Sequence, residues 1–371
     1  MQTLIKWPGG KTSEYEIIKK YIPNHNRYIE PFFGGGAVFF SMPPQQSIIN
    51  DISENLMSFY DYLKTQNAKF KDCLYCINSD WEKLKEIALE KSRILKNEFE
   101  KTRTTILSKT AIFNLISKCC SEVAYSISND SKIIINADKL ENELLRMVTD
   151  KVLRTRKNEL KNNVDLSSED LVNNILTGFT SGYYMYLRSV LNLSEKTASL
   201  YISNEYKIAV FYFIREFCYG SMFRYSKNGD FNIPYGGIAY NNKDFRKKLN
   251  VLFSNKTREY LSKSDIYCRD FESVLDMAHP DDFVFLDPPY DTDFSDYENR
   301  VFCETDQRRL AMRLRNLKAK FLLIIKNTPL INSLYQNSEF RIHAFDNKYK
   351  YCVKGRNDRN AVHLIITNYD L

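Results

Sequence analysis

The sequence predicts an α/β fold in which a mostly parallel sheet, covered by helices on both faces, is interrupted by a long helical insertion. Three observations carry this. Continuous apolar runs such as Phe283 to Leu286 and Phe321 to Ile325 read as strands buried on both faces. These runs alternate with helical patterns at both ends of the chain. Between about Thr65 and Tyr206 the composition changes: Lys, Glu, Asn and Ser dominate, apolar residues recur at helical spacing and proline is absent.

Taken in order, a turn at Gly9-Gly10 leads into a predicted helix from about Thr12 to Tyr21. Arg27 to Glu30 is a short strand stopped by Pro31, and Gly34-Gly35-Gly36 breaks the chain before the apolar element Ala37 to Phe40. Ser47 to Asp51 is a second buried strand. Ser53 then caps a helix with Leu56, Tyr60 and Leu63 on one side. Long helices fill the insertion, whose charge runs, such as Glu98 to Arg103, read as solvated faces. An aromatic run from Ile208 to Phe217 precedes a Gly-punctuated stretch rich in Tyr, Phe and Asn, from Tyr219 to Tyr240. The α/β pattern resumes at Ile266 to Cys268. The strand Asp282 to Leu286 follows, then a helix from Thr305 carrying Leu310, Leu314 and Leu317, the strand Phe321 to Ile325, and two last strands near Arg341 to Phe345 and Ala361 to Thr367. Both ends are expected to build one sheet, so that residues 1–63 and 262–371 form one domain and 64–261 an inserted one.

Composition narrows the function. With 43% hydrophobic and 27% charged residues the chain is neither disordered nor of low complexity. No apolar run approaches the ~20 residues of a membrane-spanning helix, and Met1 to Lys6 lacks a signal-peptide core, so a cytoplasmic protein without a membrane partner is expected. A net charge of +7 is compatible with a polyanion partner. The 25 Tyr and 24 Phe would suit base stacking, although most must be core. The eight cysteines form no framework and read as reduced thiols; Cys73-x-x-Cys76 with Cys119-Cys120 fits a zinc site poorly, and no metal is expected.

In an open α/β sheet, ligands bind beyond the carboxyl ends of the strands. Three loops occupy that position. Glu30-Pro31-Phe32-Phe33-Gly34-Gly35-Gly36 permits a tight turn and close backbone approach, without being the Gly-x-Gly-x-x-Gly fingerprint, because position 39 is Phe. Asp51 closes the next strand, where an acid can accept from two ribose hydroxyls; a helix cap is its bland alternative. Asp287-Pro288-Pro289-Tyr290 is the sharpest signal. Two prolines fix the backbone and its carbonyls, the aspartate adds an acceptor and the tyrosine a stacking face. That set suits a planar ring bearing an exocyclic amino group.

Lys6-Trp7-Pro8-Gly9-Gly10-Lys11, the Glu30 to Gly36 block and Asp287 to Tyr290, in this order, resemble the Dam-type (alpha group, D12 class) DNA N6-adenine methyltransferases. A fourth block, Tyr219 to Gly236, is similar to the DNA-recognition segment of that family's GATC-methylating members. The resemblance covers roughly residues 1–63 and 207–371; the compact members have no counterpart to the helices between. It implies a Rossmann-like class I methyltransferase sheet with an inserted, mainly helical DNA-recognition lobe. It also implies methyl transfer from S-adenosylmethionine to N6 of an adenine flipped out of duplex DNA.

By that resemblance Trp7, Lys11, Asp51 and Asp287 contact the cofactor, Phe32 with Gly34 to Gly36 line its pocket, and Phe271 flanks its adenine. Asp287, Pro288, Pro289 and Tyr290 carry the chemistry, and the loop Asp291 to Tyr297 closes over the base. Arg224 grips a guanine, Lys6 contacts a base or the backbone, and Asn232, Pro234 and Tyr235 sit at the target site, where an aromatic side chain can fill the gap left by the flipped base. Ser226 in place of Asn, Gly220-Ser221 in place of Asn-Gly, and His363 in place of a usual Glu depart from the pattern. A guanine-containing site is therefore expected, with GATC the leading candidate. The competing readings are a decayed DNA-binding regulator and a methyltransferase acting on RNA or cytosine N4. The insertion leaves room for a partner such as a restriction endonuclease.

Overall fold

The computed structural model describes residues 2–104, 109–196, 202–290, 296–297, 300–336, 340–348 and 360–370. It divides into two compact units, 1–66 with 222–230 and 252–371, and 67–221 with 231–251. The sequence predicts an insertion over 64–261, of which 64–66, 222–230 and 252–261 group here with the first unit.

The first unit begins with a single 3₁₀ turn (Lys11–Ser13) and a four-residue helix α1 (Tyr15–Ile18), shorter than the helix predicted from Thr12 to Tyr21. Turns carry the rest of that stretch, the Glu14 amide donating to the Lys11 carbonyl at 3.0 Å and the Tyr21 amide to the Ile18 carbonyl at 2.9 Å. Strand β1 (Arg27–Glu30), helix α2 (Ala37–Ser41), strand β2 (Ser47–Asn50) and helix α3 (Glu54–Lys64) follow, with the Ser53 hydroxyl accepting from the Leu56 amide at 3.2 Å to cap α3.

The second unit holds α4 (Ala68–Thr104), α5 (Lys109–Ser128), α6 (Ala137–Asn162), α7 (Ser168–Lys196), α8 (Asn204–Phe217) and nearly all of α9 (Phe245–Leu252). Every residue of α8 from Ile208 to Phe217 is buried, the charged Arg215 and Glu216 included, so this mainly apolar helix forms a core. The buried Glu216 carboxylate on α8 is neutralised by Lys248 at 2.7 Å and Lys243 at 3.2 Å. Helices α6 and α7 meet through glycines. A Cβ on Gly182 would lie 2.7 Å from the Leu144 Cα, and one on Gly178 2.9 Å from the Val148 Cα. Since backbone cannot yield as a side-chain tip does, Gly182→Ala is expected to destabilise this unit by about 1–3 kcal/mol. Urea denaturation monitored by circular dichroism checks it; an unchanged midpoint would show that the helices tolerate separation.

The first unit resumes with α10 (Asn255–Ser262), β3 (Ser264–Tyr267), α11 (Phe271–Leu275) and β4 (Asp282–Leu286). Two antiparallel two-residue strands, β5 (Asp296–Tyr297) and β6 (Arg300–Val301), precede α12 (Glu304–Asn316), β7 (Lys320–Lys326), α13 (Pro329–Tyr335), β8 (Arg341–Lys348) and β9 (Asn360–Thr367). The seven-stranded sheet runs β3-β2-β1-β4-β7-β9-β8. The first five strands are parallel, and β9 pairs antiparallel with both β7 and β8. This is the Rossmann-like α/β architecture predicted. β2 and β4 flank β1 on opposite sides, so strand order reverses at β1, where a crevice opens at the carboxyl ends. No helix among the described residues is long and apolar enough to cross a membrane.

Candidate active site

The crevice at the end of β1 is a cavity of about 350 Å³, lined entirely by residues of the first unit. Its floor is the glycine turn after β1. Gly34 and Gly36 have φ of 49° and 64°, the left-handed region that favours glycine. Space demands glycine too: a Cβ on Gly34 would fall 2.8 Å from Trp7 Cδ1, and one on Gly36 2.5 Å from Phe33 Cζ. Asp51, just past β2, ties this turn down. Its Oδ2 accepts the Gly34 N–H at 2.9 Å and its Oδ1 the Ser53 N–H at 3.0 Å. Burial pushes the Asp51 carboxyl up, while these amides pull it back. Asn50 braces both strand ends, donating to the carbonyls of Pro31 and Arg269 at 3.0 Å each.

Asp287, Pro288, Pro289 and Tyr290 leave β4 and form another wall. Gln307 on α12 donates to the Pro289 carbonyl at 2.9 Å. No described donor reaches the Pro288 carbonyl. The Lys11 ammonium, 2.8 Å from Asp287 Oδ2, lies 5.4 Å from the centre of the Tyr290 ring. Burial opposes charge on Lys11, but Asp287, Tyr290 and Glu14 outweigh it and hold its pKa well above the usual lysine value. Burial likewise raises the Asp287 carboxyl, and the Lys11 charge offsets only part of that rise.

An aromatic corner closes the far side. Phe32 lies 5.4 Å from Phe271 and 5.6 Å edge-on from Phe302, with Phe271 and Phe302 5.8 Å apart. Thus Trp7, Lys11, Phe32, Gly34, Gly36, Asp51, Phe271 and Asp287 all line one cavity with Pro288, Pro289 and Tyr290. Of the loop expected to close over the base, residues 291–295 lie outside the described residues.

Three residues have no individual role assigned from the sequence. Glu30 lines the cavity, accepts the Tyr28 hydroxyl at 2.8 Å, and is held well above the usual carboxylate range by burial and by the nearby Asp287 and Asp51. His363, noted only as a departure from pattern, is buried behind the corner, its ring 5.3 Å from Tyr290 and its Nδ1 3.6 Å from Glu14. Arg309 on α12 binds Asp306 at 2.9 Å, Asp270 at 2.9 Å and Glu272 at 3.1 Å, with its guanidinium 4.9 Å from the Phe271 ring centre. Only the fold brings these acids of α11 and α12 together. In the sequence Arg309 is one charge in a polar helix.

The residues expected to touch DNA are divided between the units. Half-buried Lys6 and exposed Arg224 belong to the first. Arg224 follows Phe223, which meets Trp7 edge-on at 4.8 Å. It precedes a turn in which the Ser226 amide donates to the Asp230 carbonyl at 2.8 Å. Although Ser226 departs from the family Asn, its hydroxyl accepts the N–H groups of Asp230 at 3.2 Å and Asn228 at 3.3 Å, a turn-building role shared by Ser and Asn. Asn232, Pro234 and Tyr235 belong to the second unit. Pro234 is exposed and its carbonyl accepts the Tyr219 amide at 2.9 Å. The Tyr235 ring is not a free surface group: it packs 6.0 Å from Trp81 and 5.8 Å from Tyr184, and burial pushes its hydroxyl up to about 12. Among the described residues no group of three or more His, Cys, Asp or Glu side chains is arranged to hold a metal.

Comparison with known proteins fits this geometry. The chain is 26% identical over 376 residues to the type II methyltransferase M.CviBI of Paramecium bursaria Chlorella virus NC1A, covering all of both chains. That span includes the long helices α4 to α7, most of which the family model below also covers. It is 25% identical to the type II methyltransferase M.MjaIII of Methanocaldococcus jannaschii, across 100% of this chain and 99% of that one. With the retron Ec67 DNA adenine methylase of Escherichia coli it shares 24% identity over 98% of this chain and 90% of that one. The sequence model of the D12 class N6 adenine-specific DNA methyltransferases matches residues 7–178 and 160–351, taking in the glycine turn and the Asp287 corner. The chain belongs to that family and is an adenine-specific DNA methyltransferase.

Proposed function

We propose that this enzyme transfers a methyl group from S-adenosylmethionine to N6 of an adenine turned out of a short, guanine-containing duplex site, with GATC the favoured sequence. One observation carries the reading: the Asp287 corner, the glycine turn and Asp51 converge on one cavity of about 350 Å³. The cavity suits a sulfonium nucleoside. Its floor is a glycine turn packed against Trp7 and Phe33, its walls offer the rings of Trp7, Phe32 and Phe271, and the Asp51 oxygens, each holding one backbone amide, keep lone pairs that can accept from a ribose diol. When bound, the cofactor supplies an electrophilic methyl group.

The chain's own residues do the rest. The N6 lone pair of adenine is delocalised into the ring, so the nitrogen is a poor nucleophile. Asp287 and the Pro288 carbonyl accept its two hydrogens, which shifts the nitrogen toward tetrahedral geometry, aims the lone pair and stabilises the developing positive charge. Lys11 keeps Asp287 ionised and oriented. Tyr290 stacks on the base, which is out of reach while paired in the duplex. Arg224 reads a guanine through a bidentate contact contributing about 1–3 kcal/mol of discrimination. On this reading the first unit is the cofactor-binding and catalytic domain, and the second belongs to target recognition.

Expression in a host lacking DNA methylation, followed by single-molecule mapping of modified bases, tests the reading. N6-methyladenine in one short guanine-containing motif is expected; methylcytosine, RNA modification or no modification would refute it. Arg309→Ala is expected to raise the dissociation constant for S-adenosylmethionine about tenfold, or ~1.4 kcal/mol, by loosening α11 behind Phe271, with kcat nearly unchanged. Isothermal titration and steady-state kinetics separate the two, and a fall in kcat at constant affinity would count against it.

A further inference from the structure

Beyond the glycine contacts at Val148 and Leu144, the gap between α6 and α7 holds a second cavity of about 300 Å³. It is lined by Lys151, Arg154, Asn158 and Asn162 of α6 and by Asn174 of α7. The α6 residues recur at helical spacing and share one face, and every one of these five side chains can donate a hydrogen bond. The one acid in the lining, the buried Glu159, is already neutralised: it accepts from Arg103, from Arg156 at 3.2 Å and from the Leu166 amide at 3.0 Å. No acid partners Lys151 or Arg154 among the described residues. Burial together with the neighbouring Arg154 lowers the Lys151 pKa, so two cations share one gap with no compensating anion. Beside it, on the neighbouring face of the same stretch, α6 exposes Lys157 and Lys161, again without a described acid partner.

We infer that the gap between α6 and α7 is a phosphate-binding site, occupied by the backbone of the nucleic acid on which the enzyme acts. A tetrahedral anion surrounded by donors answers the uncompensated charge. Lys151 to Lys161 spans about 15 Å of helix, enough to follow several phosphates along a strand. The inference rests on DNA being the substrate and adds contacts that the cavity after β1 does not supply.

The test is the salt dependence of duplex binding by the full chain, measured by fluorescence anisotropy. The double variant Lys151→Met/Arg154→Met is expected to reduce the slope of log affinity against log salt by about one, for the single phosphate that the gap holds. Cofactor affinity and kcat at saturating DNA stay at wild-type values. The separate exposed pair Lys157→Gln/Lys161→Gln, which removes no packing, is expected to reduce the slope as well. A wild-type slope in both variants would overturn the inference. So would a slope unchanged while inorganic phosphate raises the melting temperature of the wild type alone, which would assign the site to a free anion. Binding of polyglutamate without a change in the DNA slope would likewise overturn it in favour of an acidic protein. Failure of the methylation reading would appear instead as a wild type that modifies no adenine.

Discussion

Asp287→Asn is expected to reduce kcat by about 10³-fold, the scale on which one preorganised electrostatic group acts. The amide keeps the shape of the carboxylate but loses its charge, and it accepts less strongly from the adenine amino group. Cofactor affinity should fall far less, because the glycine turn, Asp51 and the aromatic corner remain. The pH profile gives a second readout. Burial raises the Asp287 carboxyl, so the acid limb of kcat should lie above the ordinary carboxylate range and vanish in the variant. Stability moves the opposite way. A raised folded-state value means that the native chain keeps this proton over a window where the unfolded chain has released it. The residue therefore contributes stability at acid pH that is lost as pH rises through the folded value. Single-turnover methylation and urea midpoints between pH 4 and pH 8, roughly the span in which carboxyls shifted by burial titrate, check both signs. A wild-type kcat would remove Asp287 from the chemistry.

Lys11→Met is expected to destabilise the fold by about 3–5 kcal/mol, the cost of leaving one partner of a buried ion pair uncompensated. Both side chains are shielded, with 5% and 18% of their surface exposed, so water cannot replace the lost ammonium. The cheapest response is for Asp287 to take up a proton. The acid limb of kcat should then move further up in pH, with transfer at neutral pH falling by at least tenfold. Denaturation midpoints and the same pH series measure the two effects. The double variant Lys11→Met/Asp287→Asn should recover most of the stability and none of the activity, because it removes both charges together. A limb unmoved in Lys11→Met would show that the lysine does not govern the state of the acid.

What could be seen in advance follows the range of the forces involved. Strands β4 and β7 were legible because burial on both faces leaves continuous apolar residues, and Asp287 to Tyr290 was legible because its geometry is written in adjacent prolines. Helices α11 and α13, of five and seven residues, are too short for a period of 3.6 to register. The helix predicted from Thr12 is split into a 3₁₀ turn, the short α1 and further turns, a division that apolar spacing over ten residues does not register. Tyr235 was assigned to the target site from its motif, whereas Trp81 and Tyr184, distant in sequence, claim its ring. Arg309 and the lysine–aspartate pair were invisible for the same reason: each joins residues far apart in the chain.

The central strand of the sheet has a consequence for biosynthesis. Arg27 to Ile29 register against Asp282 to Val284, so β1 waits during synthesis for a neighbour made some 250 residues later. At about 5–20 residues per second that delay is on the order of tens of seconds. Through it the nascent chain carries an unsatisfied strand edge while the intervening helical segment, built from contacts nearer in sequence, is free to fold first. Chaperone demand and misassembly should therefore concentrate on the N-terminal sixty residues, and a rearranged gene that encodes β4 early would shorten that exposure.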